Sequence, residues 1–314
     1  MNLRNLRNLR NRSGSGALAV MAVAALAMAS GCGGGASEPA APPAEALAKQ
    51  LTATDTIFEA NPAYAPFGDA IVYESDATGN REIWLLPGNG SPARRLTDHA
   101  AEDTAPCWLP DGSGIVFEST RSGTKSIWRL ALDVEGALPV QITDDAGEDG
   151  SPDVSPDGLL VVYESNRGGP GGAALWLSPV GGGTPVRLTT SIDGSYDRTA
   201  DWSPDGQHIV FESNRKDGAP ALYIVPANGG NFVRLTPLSG YEGHPAWSPD
   251  GLRVAYESDA GGTMEIWCVD VDGANARSLT NEGGHWPSWN RAGNRIVYCN
   301  WGSLAPNLWE IAVQ

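Results

Sequence analysis

One phrase, repeated six times, constrains this chain more than any other feature. Aligned on the aromatic residue of Ile-Val-Tyr-Glu-Ser, the copies place Tyr73, Phe117, Tyr163, Phe211, Tyr256 and Tyr298 at spacings of 44, 46, 48, 45 and 42 residues. Nine residues upstream, with no gap in any copy, stand Tyr64, Trp108, Val154, Trp202, Trp247 and Trp289. A period of this length marks a supersecondary unit that must stack on its neighbours to bury a face it cannot bury alone.

Each copy reads as four strands. The first ends in Leu-Pro-Asp-Gly at 109–112 or Ser-Pro-Asp-Gly at 155–158, 203–206 and 248–251. Here Pro presets φ, Asp bonds back to the backbone and Gly takes the left-handed position, which is hairpin chemistry. The second strand is the aligned phrase. The third carries an apolar-aromatic pair such as Ile83-Trp84, Ile127-Trp128 or Leu308-Trp309, and the fourth ends in Leu96-Thr97, Ile142-Thr143, Leu188-Thr189, Leu235-Thr236 or Leu279-Thr280. The sixth copy stops at Gln314 before any fourth strand, whereas Gln50-Leu51-Thr52 precedes the first copy and matches Gln141-Ile142-Thr143. The pattern predicts an all-β, six-bladed β-propeller over residues 49–314, its last blade completed by the N-terminal strand, a clasp that leaves no open sheet edge.

The phrase Trp-Ser-Pro-Asp-Gly followed by an apolar strand resembles the TolB-type propeller repeat, a WD-like unit, and the resemblance covers the whole propeller. Residues 202–206 and 247–251 match it best; Tyr64-Ala65-Pro66-Phe67-Gly68 and Trp289-Asn290-Arg291-Ala292-Gly293 are degenerate. The α/β domain that precedes the propeller in TolB is replaced here by a linker. The hydrolase domain that accompanies propellers in prolyl oligopeptidase-type enzymes has no counterpart.

The N-terminus reads as an address. Four arginines, Arg4, Arg7, Arg10 and Arg12, precede an apolar run from Ala17 to Ala29. That run is shorter than the ~20 residues a spanning helix needs, and together these features describe a secretory signal. Ala29-Ser30-Gly31-Cys32 resembles the bacterial lipobox, which implies a signal peptide over 1–31, lipidation of Cys32 and a membrane anchor. Residues 32–48, rich in Gly, Ala and Pro, read as a flexible tether. The expected location is the bacterial cell envelope, periplasmic or cell-surface, with the outer membrane favoured.

Charge narrows the partners. The formal net charge is −16, and residues 1–31 hold four arginines and no acid, so residues 32–314 carry −20. Such a surface repels nucleic acid and favours cations or a basic partner. Cys32, Cys107, Cys268 and Cys299 form no C-x-x-C pair and no zinc spacing. The last three fall on predicted strands, where buried thiols are expected, with a Cys268–Cys299 disulfide as the alternative.

Five residues before the aligned Trp position stand Glu59, Asp103, Asp149, Asp197 and Glu242, with Gly284 in the sixth copy. Equivalent positions near the channel mouth would make an acidic rim for a basic peptide or a cation, calcium's oxygen ligands being one possibility; solvated loop acids are the alternative. Arg198, His244, His285 and Trp286 break the pattern and join the candidate partner-binding set. Two histidines on adjacent inner loops would also suit a transition metal, and some propeller polysaccharide lyases hold manganese through histidine. Glu74, Glu118, Glu164, Glu212 and Glu257 form a second ring at the end of the second strand, with Arg121, Arg167 and Arg215 three residues later. Their expected role is structural, through charge-assisted hydrogen bonds to a loop or a neighbouring blade.

No G-x-S-x-G, H-E-x-x-H or G-x-x-x-x-G-K-[ST] motif occurs, so the usual marks of an enzyme are missing. The reading is a monomeric, envelope-anchored scaffold that binds an envelope protein or basic peptide at the channel mouth, with no cofactor. A metal-dependent glycan lyase or hydrolase and a structural envelope component are the alternatives.

Overall fold

The computed structural model describes residues 48–313 apart from 145, 170–171, 191–193, 217, 238–239 and 302–304. The expected signal peptide, Cys32 and nearly all of the tether lie outside the described residues. Six antiparallel sheets of four strands each form the propeller. Blade 2 shows the plan, from inside to outside: Asp103–Trp108, Gly114–Ser119, Ser126–Ala131 and the short Val140–Gln141.

The hairpin chemistry is realised atom by atom. In blade 3 the Gly158 N–H donates to the Ser155 carbonyl at 2.7 Å, with Gly158 at φ 71°, and Asp157 accepts the Leu159 N–H at 3.1 Å. The turns also key the blades together. A Cβ at Gly158, Gly206 or Gly251 would lie 3.4–3.8 Å from the proline of the preceding turn, Pro110, Pro156 or Pro204.

The core lies between blades. Tyr163, Tyr298, Phe117 and Phe211 are buried, each packed with apolar side chains of the preceding sheet. The outer strands have only two residues, and arginine, lysine or glutamine stands on all six, a composition that blunts edge pairing.

Lys49–Gln50 pairs with Asn307–Ala312 and completes blade 6. Thr52 Oγ1 accepts the Leu308 N–H at 3.0 Å, as Thr97 Oγ1 accepts Ile83 N–H at 2.9 Å and Thr143 Oγ1 accepts Ile127 N–H at 3.0 Å. The blade 6–blade 1 seam adds Arg295, paired to Asp69 and Glu310, and Arg291 stacked over Phe67. Cys107, Cys268 and Cys299 are free thiols, and Cys299 Sγ donates to the Glu59 carbonyl at 3.0 Å.

Candidate functional site at the channel mouth

The first strands do not run in a simple alternation. In every blade the register against the second strand shifts by a bulge, between Thr104 and Cys107 in blade 2 and at the equivalent points elsewhere. The bulge residues Asn61, Ala105, Ser151, Thr199, His244 and Trp286 all have left-handed backbones, with φ between 45° and 51°. A bulge re-aims the side chains that follow it. Here the bulge residue and those after it line an axial channel whose cavity measures about 410 Å³.

The five acids expected on the rim precede the bulge, and this reverses their placement. Glu59, Asp103, Asp149, Asp197 and Glu242 are only 0–4 % exposed. They open their strands and turn into the blade. Asp103, Asp149 and Asp197 form ion pairs with Arg121, Arg167 and Arg215 of the same blade. Each arginine also bonds a serine of the second strand through Nε and lies over its aromatic residue, 5.3–5.5 Å from the ring centre. Glu242 accepts from the Thr236 hydroxyl. These acids are internal staples. In blade 6 a side chain at Gly284 would put its Cβ 2.6 Å from Ile266, so no acid fits there.

Of the second ring, Glu118 reaches the channel, while Glu74, Glu212 and Glu257 are themselves only 1–4 % exposed. Glu74 accepts the Ala105 N–H at 2.9 Å, Glu118 the Ser151 N–H at 3.0 Å and Glu257 the Trp286 N–H at 2.7 Å. Each glutamate thus holds the bulge of the next blade, the inter-blade role expected for it. Glu118 lines the channel itself and pairs with Lys125 at 3.5 Å. Glu212 accepts from the Tyr241 hydroxyl at 3.1 Å. Burial raises the Glu164 carboxyl, and the charges of Lys125 and Arg198 oppose it.

The four pattern-breaking residues fall near this ring. His244 and Trp286 line the channel and their rings meet edge to face; His285 lies against Trp286, and exposed Arg198 stacks on Tyr196. Glu257 sits between the histidines, 3.1 Å from His244 Nδ1 and 3.3 Å from His285 Nδ1. Burial pushes Glu257 upward, but the two imidazoles outweigh it and hold the carboxyl at about 2. Burial pushes His244 downward, and the Glu257 charge overcomes it, leaving His244 above its usual value. Trp301, half-exposed, continues the aromatic surface between His285 and Phe58. Among the described residues no group of three or more His, Cys, Asp or Glu side chains is placed to hold a metal ion.

Sequence reasoning missed one layer. Below the bulge, Asp153 and Asp201 face the channel where the other blades carry Ala63, Cys107, Ala246 and Ser288. Burial and the opposing Trp202 and Val154 N–H groups leave Asp153 near 6; burial and the charge of Asp153 raise Asp201 well above its usual value.

A closed six-bladed ring with a bulged, channel-lining inner strand and a Ser-Pro-Asp-Gly turn defines the class. The family model for the TolB beta propeller domain matches residues 45–139 and 199–310, and the chain belongs to that family. The unmatched stretch contains blade 3, where Val154 replaces the aligned Trp. Among solved structures the fold is similar to one assigned to TolB from Agrobacterium tumefaciens, with 25 % identity, 71 % of this chain and 81 % of that one covered, and a TM-score of 0.63. TolB from Acinetobacter baumannii shares the fold at 18 % identity, covering 82 % of this chain and 63 % of its own, with a TM-score of 0.62. Oligogalacturonate lyase from Vibrio parahaemolyticus shares it at 12 % identity, 85 % and 93 % coverage and a TM-score of 0.59. No curated protein matches the sequence.

Proposed function

We propose that this protein is an envelope scaffold, exported, held to a membrane by lipid on Cys32, and docking a protein partner over the channel mouth. The observation that carries this reading is the gathering, on one face, of the channel-lining Glu118 with the half-buried His244, His285 and Trp286 and the half-exposed Trp301. Aromatic anchors inside a polar surround are what protein interfaces use for affinity. The acids bias that surface toward a basic partner.

Crosslinking in intact envelopes tests it with three baits: the wild type, Trp286→Ala combined with Glu118→Lys, and Leu159→Ser combined with Leu252→Ser on the opposite, turn face. One and the same protein should be captured by the first and third and lost from the second. Equal capture by all three overturns the docking face. Cys32→Ser should move the protein from the membrane to the soluble fraction.

A metal-dependent glycan lyase or hydrolase is the competing reading, favoured by the carboxylate of Glu257 between two histidines. It requires stoichiometric manganese in the purified protein, lost in His244→Ala and His285→Ala.

A further inference from the structure

The channel holds a group of oxygens that docking at the mouth does not use. Asp153 and Asp201 stand at equivalent positions of blades 3 and 4, both lining the cavity. Each spends one carboxylate oxygen on the next blade: Asp153 accepts the Trp202 N–H at 2.8 Å and Asp201 the Trp247 N–H at 2.7 Å. Asp153 is further approached by the N–H of Val154. Among the described residues the second oxygen of Asp201 meets no donor. Two residues before Asp201, at the bulge, Thr199 also lines the cavity, and its Oγ1 is buried without a hydrogen-bond partner. Thr199 is a β-branched residue at φ 47°. Such a residue avoids the left-handed region unless its surroundings force it, and that strain gathers at ligand sites.

We propose that Asp153, Asp201 and Thr199 form a binding site for a primary ammonium group on an unbranched alkyl stem, the chemistry shared by a lysine side chain and a linear polyamine. An alkylammonium has three N–H donors and no acceptor, matching two carboxylates and one hydroxyl. Two carboxylates supply the charge that compensates a desolvated cation. A guanidinium would need coplanar acceptors for its fork, and these three oxygens come from two strands at two heights. The stem has an apolar wall: Pro62, Pro106, Pro152, Pro245 and Pro287 line the channel one residue after the bulge in five blades, and Ala200 in the other. The acidic mouth above draws cations inward. Burial raises both carboxyls, so bound ammonium competes with their protons and affinity rises with pH.

The test is calorimetric titration with n-pentylammonium, using tetramethylammonium at equal ionic strength as a cation without N–H donors. The wild type binds the first at one site and not the second. Asp201→Asn and Asp153→Asn, which keep an oxygen for the Trp247 and Trp202 amides, weaken binding about tenfold or more. Thr199→Gly, which also relieves the left-handed strain, weakens it by about threefold to tenfold. A single cooperative thermal unfolding transition in the Asn variants confirms that the fold survives. Trp301→Ala, a mouth variant outside the cavity lining, leaves pentylammonium binding intact, so failure of the docking face and failure of this site are separable. Titrations with cadaverine and with Nα-acetyl-lysine amide assign the source: tighter binding of the diamine means a free polyamine, tighter binding of the lysine means a partner's side chain. A wild type that gives no more heat with pentylammonium than with tetramethylammonium, or an Asp201→Asn variant that binds as tightly as the wild type, overturns the proposal.

Discussion

Among the described residues, Asp153 and Asp201 differ from Asp103, Asp149 and Asp197 in having no arginine paired to them. Asp103, Asp149 and Asp197 are as buried or more so, yet each meets a guanidinium. The channel pair meets backbone N–H groups, and Asp201 also meets the charge of Asp153. Both channel carboxyls are raised by burial, Asp153 to about 6. The folded protein therefore holds a proton that the unfolded chain has already released between about pH 4 and pH 6. Their contribution to stability is present below the unfolded value; that of Asp153 is lost as the pH rises through about 6, and that of Asp201 is lost at a pH well above the usual carboxylate range. Replacing both by Asn removes this dependence. Relative to wild type, the double variant should gain on the order of 2 kcal/mol between pH 4 and pH 7, read from urea unfolding midpoints at the two pH values. A difference that stays constant over that range would remove the pair as its source.

At the level of the element, the most legible feature was the one with the most local chemistry. Leu-Thr closes the fourth strand because the Thr hydroxyl accepts the N–H of the third strand, and Thr52 repeats this bond from the far end of the chain. Six copies of one hydrogen-bond pattern made the clasp readable before any fold was known. Thr52→Ala and Thr143→Ala should therefore cost about the same, about 1 kcal/mol each, in denaturant unfolding. A much smaller cost at Thr52 would mean that the clasp adds little to the ring. The inner strand was harder to read, and the reason is the bulge. A one-residue insertion reverses which side chains face inward, and nothing in a single strand's composition marks it. Counting five residues back from the aligned Trp therefore selected the staples, Asp103 and its equivalents, as a rim. The signal that would have found the channel pair stood at the same parity, four residues on and past the bulge. Asp153 and Asp201 replace alanine, cysteine and serine one residue before the aligned Val154 and Trp202. The glutamate ring was found with its inter-blade role, but that Glu118 reaches the channel depends on how six blades converge, which no repeat shows alone.

For the molecule as a whole, charge opposes the closed ring. Residues 49–314 carry a formal −18, and closing six blades on one axis gathers five glutamates and two aspartates around a single channel. Exposed ion pairs such as Arg95–Asp98 and Arg81–Glu102 return at most about 1 kcal/mol apiece. The buried arginine staples are screened very little by salt because water does not reach them. Added salt thus removes more repulsion than attraction, the reverse of what a protein held by surface ion pairs would show. The unfolding temperature should rise by several degrees as NaCl goes from about 10 mM to about 500 mM, where the screening length falls from ~30 Å to a few ångströms. Tetramethylammonium chloride should produce the same rise if screening is the cause, since it lacks the N–H donors that the channel oxygens would select. A rise with sodium and none with tetramethylammonium would point instead to a bound cation, and a fall with both would show that the exposed pairs outweigh the repulsion.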